Sequence, residues 1–123
     1  MHKVLSITTD NSVSVKEVED ISYDFLFESV NGLVELVSLN RDVDMWLNEE
    51  GKINGLQPNV LATLLWNKMF PNADVIMGDV VITGGADEEG NSLGLKDSDI
   101  IDIMTLLQDA IETAINNQSS EME

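Results

Sequence analysis

Apolar and polar positions alternate at the start of the chain and recur at helical spacing at its end. "KVLSITT" and "SVSVKEV" are short β-branched runs separated by Asp10 and Asn11. Val13, Val15 and Val18 are placed near one face, with Ser14 and Lys16 on the other, the period of two of a hairpin with one wet face. The period then lengthens. In "EDISYDFLFESVNG" the residues Ile21, Phe25, Leu26 and Val30 form a helical stripe, with Ser22 as N-cap and Asn31-Gly32 as the stop. "LVELVSL" reads as a buried strand. "VDMWLNEEGKINGL" reads as a hairpin with its tip at Asn48-Glu49-Glu50-Gly51, where acids favour water and glycine tolerates positive φ.

Pro58 is placed in the first turn of a second helix, with Asn59 after it and apolar positions Leu61, Leu64, Leu65 and Met69 spaced by three and four. One or two strands follow, at 75–77 and 79–83, interrupted at Gly78, and then a Gly-rich loop or hairpin, "ADEEGNSLGL". The clearest helix is "KDSDIIDIMTLLQDAIETAI". Ser98 or Asp97 is its expected cap, and Ile100, Ile103, Met104, Leu107, Ala110, Ile111 and Ala114 form its apolar stripe. The acidic tail, 119–123, is expected to fray. These elements predict one α+β domain over residues 1–118, a mostly antiparallel sheet with two short helices and one long C-terminal helix packed on it.

Composition narrows the chemistry. A chain of 123 residues with 43% hydrophobic content is long enough for a core and lies in the globular range. There is no cysteine, and His2 is the single histidine. Disulfide scaffolds, thiolate zinc sites, thiol nucleophiles, His-rich metal centres and a Ser-His-Asp triad are therefore set aside. No cofactor and no metal is expected. The N-terminal apolar run is broken at Asp10 and Asn11, and none approaches the ~18 apolar residues of a membrane span. The expectation is a cytoplasmic protein with no membrane partner.

Charge changes the picture most. Twenty-three acids face six bases, a net charge of −17. Residues 97–123 hold seven acids and no base. Such a surface repels nucleic acid and attracts basic protein surfaces, so direct nucleic-acid binding is not expected. On the last helix Asp99, Asp102, Asp109 and Glu112 are spaced by three and seven, roughly along one face. Like charges at such spacings cost a few tenths of a kcal/mol per pair, on the order of 0.2–0.5. A row of carboxylates can imitate DNA phosphates in a basic groove; an acidic face can equally serve solubility alone.

Other motifs fail on spacing. An EF-hand loop needs oxygen ligands at alternate positions and glycine at the sixth. Counting from Asp42 puts Trp46 and Leu47 at the fifth and sixth positions, and counting from Asp87 puts Ser92 at the sixth. Gly94 is followed by Leu95-Lys96-Asp97, not by the Lys-Ser/Thr pair of a phosphate loop. Trp46 and Trp66 read as core residues. No base, nucleophile or oxyanion donor set can be named, and a non-enzymatic protein is expected.

Three short motifs carry a resemblance: Asn48, Glu49, Gly51 and Lys52; then Leu56, Pro58, Asn59 and Ala62 with Gln57 interposed; then Gly78, Asp79 and Gly84. Over residues 22–84 the chain resembles a small domain-of-unknown-function family common in bacteriophages and mobile elements. The resemblance implies a viral or mobile-element origin, no known catalysis, and the binding of a host component. It directs attention to Asn48, Glu49, Gly51, Asn59, Asp79 and Gly84. The leading expectation is an acidic inhibitor of a host defence or DNA-processing protein, contacting a basic surface through Asp99, Asp102, Asp109 and Glu112. The alternatives are a small-ligand module, with its pocket between the 48–59 turn region and the 84–94 loop, and an acidic structural oligomer such as a homodimer.

Overall fold

The computed structural model describes the backbone of residues 1–122 and the side chains of residues 1–117. Its elements run β1 (His2–Ile7), β2 (Val13–Val18), α1 (Tyr23–Val30), β3 (Val34–Asn40), β4 (Val43–Asn48), α2 (Val60–Met69), β5 (Val80–Gly84) and α3 (Asp97–Met122). The five strands form one sheet in the order β2-β1-β5-β4-β3, and every pairing is antiparallel. This is the α+β class read from the sequence, with helices on both faces of the sheet.

The strand late in sequence occupies the middle. β5 pairs with β1 on one side (Leu5 with Ile82) and β4 on the other (Met45 with Ile82). All five of its residues are buried, which is why 80–84 reads as a nearly unbroken apolar run instead of an alternating one. Val80 and Ile82 join the larger core with Leu5, Ile7, Met45, Leu65, Ile103 and Leu107, under α2 and α3. Val81 points the other way, to Val4, Ile21 and Leu26 under α1.

Caps set the helix ends. Ser22 accepts a hydrogen bond from the Phe25 amide at 3.1 Å, and Asn31 closes α1 in the left-handed region at φ 62°. α2 starts at Val60, two residues after Pro58. Asn59 is its N-cap, and Pro58 lies outside, bridged to Met77. At α3 the cap position falls to Lys96, whose carbonyl accepts from the Ile100 amide and whose own amide donates to Asp99 at 3.1 Å. Asp97 and Ser98 are therefore already inside the helix, and Asp99 makes the reach-back half of a capping box. The backbone of α3 is helical through Met122; for the tail, 119–123, the side chains and Glu123 lie outside the described residues.

Four strand-level expectations are corrected. Val13 and Val18 are five apart and so face opposite sides: Val13 packs on the α2–α3 side and Val18 on the α1 side. β3 is an edge strand with only Leu39 buried, and Leu36 is half exposed. The hairpin is β3–β4, closed at Arg41 and Asp42; residues 49–55 form consecutive turns with no returning strand, so 48–51 is no hairpin tip. Residues 75–77 contribute only the Met77 bridge, because Gly78 at φ +93° bends the chain before β5 begins.

Candidate functional site

The six residues to which the resemblance directs attention build the scaffold. Asn48, at the end of β4, donates through Nδ2 to the carbonyls of Val30 (3.0 Å) and Asn31 (3.2 Å), and its Oδ1 accepts from the Glu50 amide at 2.8 Å. It ties the end of α1 to β4. Asn59 is fully buried: Nδ2 donates to the carbonyls of Ile7 and Gly78, both at 2.9 Å, while Oδ1 caps α2 at the Ala62 amide, 3.0 Å away. Asp79 accepts from the Thr9 amide at 3.0 Å. A methyl group on Gly51 would meet the Met77 carbonyl oxygen at 2.8 Å, and one on Gly84 would meet that of Gly94 at 2.5 Å. The polar groups of both asparagine side chains are engaged within the fold. Glu49 alone of this set is exposed, held by its backbone amide to the Leu33 carbonyl at 2.8 Å.

The two segments expected to share a ligand pocket lie apart. Val43, at the start of β4, pairs with Gly84, at the end of β5, so the 84–94 loop sits at the opposite end of the sheet from Asn48. Each segment borders its own cavity. One of about 290 Å³ is lined by Asn48, Glu49, Gly51, Lys52 and Trp66 among others, with the Lys52–Asp74 ion pair at its edge. The other is larger, about 660 Å³.

That larger cavity is a groove on the α1 face of the sheet, between the first turn of α1 and the turn at 87–90. Buried Ile21 and Leu26 and half-buried Trp46 supply apolar wall; Tyr23 and Leu93 are exposed along it, with Asp20, Asp87 and His2 also lining it. Trp46 is held in orientation. Its indole Nε1 donates to the Thr83 hydroxyl at 3.0 Å, and that fully buried hydroxyl donates to the Gly84 carbonyl at 2.8 Å. Asp87 accepts from the amides of Asn91 and Glu89, each at 2.9 Å. Those bonds, Asn91's above all, hold its carboxyl below the ordinary aspartate range, so it is ionised at neutral pH. Among the described residues, no lysine or arginine lines the groove.

The acids of α3 have diverging roles. Asp99 is part of the N-terminal cap. Asp109 pairs with Lys68 of α2 at 2.8 Å, so a base from another element does offset the row. Asp102 and Glu112 are exposed and outside every ion pair of the described residues. Three of the six bases are taken by aspartates: Lys3 by Asp97, Lys52 by Asp74 and Lys68 by Asp109. On α3 the buried stripe is Ile103, Leu107 and Ala110, whereas Met104, expected in the core, is exposed with Ile101 and Ile115.

Among the described residues no group of three or more His, Asp or Glu side chains is placed to hold a metal ion, and every buried side-chain polar atom has a hydrogen-bond partner. Among the described residues Asp44 is the one carboxyl raised above its ordinary range, by partial burial, against a 3.2 Å hydrogen bond from Ser38. No helix among these residues is long and apolar enough to cross a membrane.

Sequence reading missed the groove, because its walls come from α1, β4 and the 87–93 segment, distant in the chain; the aromatic Trp46 was its only local signal. No curated protein and no solved structure matches the chain. One family does, a domain of unknown function designated DUF3846, over residues 1–108. The match takes in the β1–β2 hairpin and the first half of α3, a wider span than the three motifs, and ends before Asp109 and Glu112. The chain belongs to the DUF3846 family.

Proposed function

We propose that this chain is a non-enzymatic acidic protein of bacteriophage or mobile-element type that binds a basic surface of a host protein and inhibits it, a defence or DNA-processing protein being the natural target. The observation that carries this reading is the charge: a net −17, with half of the few bases already paired to aspartates. A basic groove shaped for phosphates attracts such a surface over a long range and accelerates encounter. Among the described residues of α3, the carboxylates free to meet a partner are Asp102 and Glu112, with Asp109 beside them paired to Lys68.

The test is capture from host lysate at low and high salt, with the natural chain beside D102K/E112K. The expected result is a basic protein released by salt and bound about tenfold more weakly by the double variant. Equal capture by both would remove α3 as the contact surface. Capture that is indifferent to salt would remove the electrostatic reading altogether.

A further inference from the structure

The groove beside α1 has a chemistry of its own. Its lining combines the rings of Trp46 and Tyr23 and the imidazole of His2 with two carboxylates, Asp20 and Asp87, and, among the described residues, no lysine or arginine. At about 660 Å³ it lies within the range of roughly 300–1,000 Å³ of small-molecule sites. An anionic ligand would meet two carboxylates there, and a purely apolar one would lie against both without answering their charge. A cation is favoured by both kinds of wall, since ring faces are the negative part of an aromatic quadrupole. Trp46 is set in advance by the Thr83–Gly84 hydrogen-bond relay, so little ordering is left for binding.

We propose that this groove receives a guanidinium group, stacked on the Trp46 and Tyr23 rings and paired with Asp20 and Asp87. Guanidinium is preferred to ammonium because it is planar, more weakly hydrated, and able both to stack on a ring and to present a fork of donors to a carboxylate. This deepens the function proposed above and rests on it for one source of the group, an arginine of the basic partner; the other source is a free small guanidinium compound. The groove lies on the α1 side of the sheet and α3 on the other, so the two surfaces can be tested separately.

The probe is butylguanidinium, with butylurea as its uncharged analogue, followed by the two indole N–H resonances; W46F assigns the Trp46 signal and separates it from Trp66. The expected result is a saturable shift of Trp46 alone, with butylguanidinium and not with butylurea. D20N, an exposed position outside every ion pair of the described residues, should weaken binding roughly three- to tenfold. The absence of a saturable shift, an equal response to butylurea, or unchanged binding by D20N would each overturn the assignment. D20N applied to the lysate capture then separates the sources. Weaker capture identifies an arginine of the partner, and unchanged capture by D20N, with its butylguanidinium binding weakened, identifies a free guanidinium. If butylguanidinium binds and no salt-sensitive partner is captured, the inhibitor reading falls and the groove assignment stands by itself.

Discussion

Asn59 carries three hydrogen bonds on one buried amide, to β1, to the bend at Gly78 and to the first turn of α2. N59A removes the cap and strands two buried carbonyls, and should cost roughly 2–4 kcal/mol, read as a lower urea midpoint. N59D keeps the capping oxygen but turns a second carboxylate oxygen toward those carbonyls, so it should be no milder. E49Q, at an exposed position of the same motifs, should change stability by no more than about 0.5 kcal/mol. If N59A keeps the natural midpoint, the scaffold role of Asn59 is wrong. The motif residues were visible in the sequence, but their role was not. Asn59 has partners 52 and 19 residues away, and a side chain's distant partners leave no local trace.

At the scale of the element, α3 separates its acids by what the fold does with each. Asp99 accepts from the Lys96 amide at the N-terminus, where a carboxylate also complements the helix dipole. D99A should therefore lower stability by about 0.5–1 kcal/mol. D102N removes only repulsion and should leave stability unchanged or higher by a few tenths of a kcal/mol, about 0.2–0.5. D109N breaks an exposed pair with Lys68, worth at most about 1 kcal/mol. Thermal unfolding of the three variants side by side checks the order; equal effects at Asp99 and Asp102 would show that the cap contributes nothing. The spacing of the row was legible from sequence alone. Its division was not, because Lys68 reaches Asp109 only after α2 and α3 pack together.

For the whole molecule, the proposed binding and the stability should respond to salt in opposite directions. Raising ionic strength from about 0.01 M to 0.15 M shortens the screening length from about 30 Å to 8 Å. That relieves the self-repulsion of a −17 chain, while the three exposed ion pairs have little to lose. The melting temperature should rise by roughly 2–6 °C over this interval, measured by circular dichroism at neutral pH. A fall would mean that the ion pairs outweigh the repulsion. Affinity for a basic partner should drop over the same interval, so an effect of unfolding on binding cannot be mistaken for the electrostatic one.

The sequence by itself determined what depends on neighbours along the chain. Ser22 and the Asn31-Gly32 pair delimit α1, the two β-branched runs on either side of Asp10-Asn11 make the β1–β2 hairpin, and the three-four spacing of Ile103, Leu107 and Ala110 makes α3. It also determined the class and the net charge. Tertiary structure decided what depends on distant pairing. β5 lies between β1 and β4 because a strand apolar on both faces is buried on both only in the middle of a sheet. That placement turns β3 into an edge, sends the two acidic turns to opposite ends, brings Thr83 to the Trp46 indole and opens the groove beside α1. Periodicity reports which face of an element is apolar; which other element covers that face is settled only when the whole chain competes for the same core.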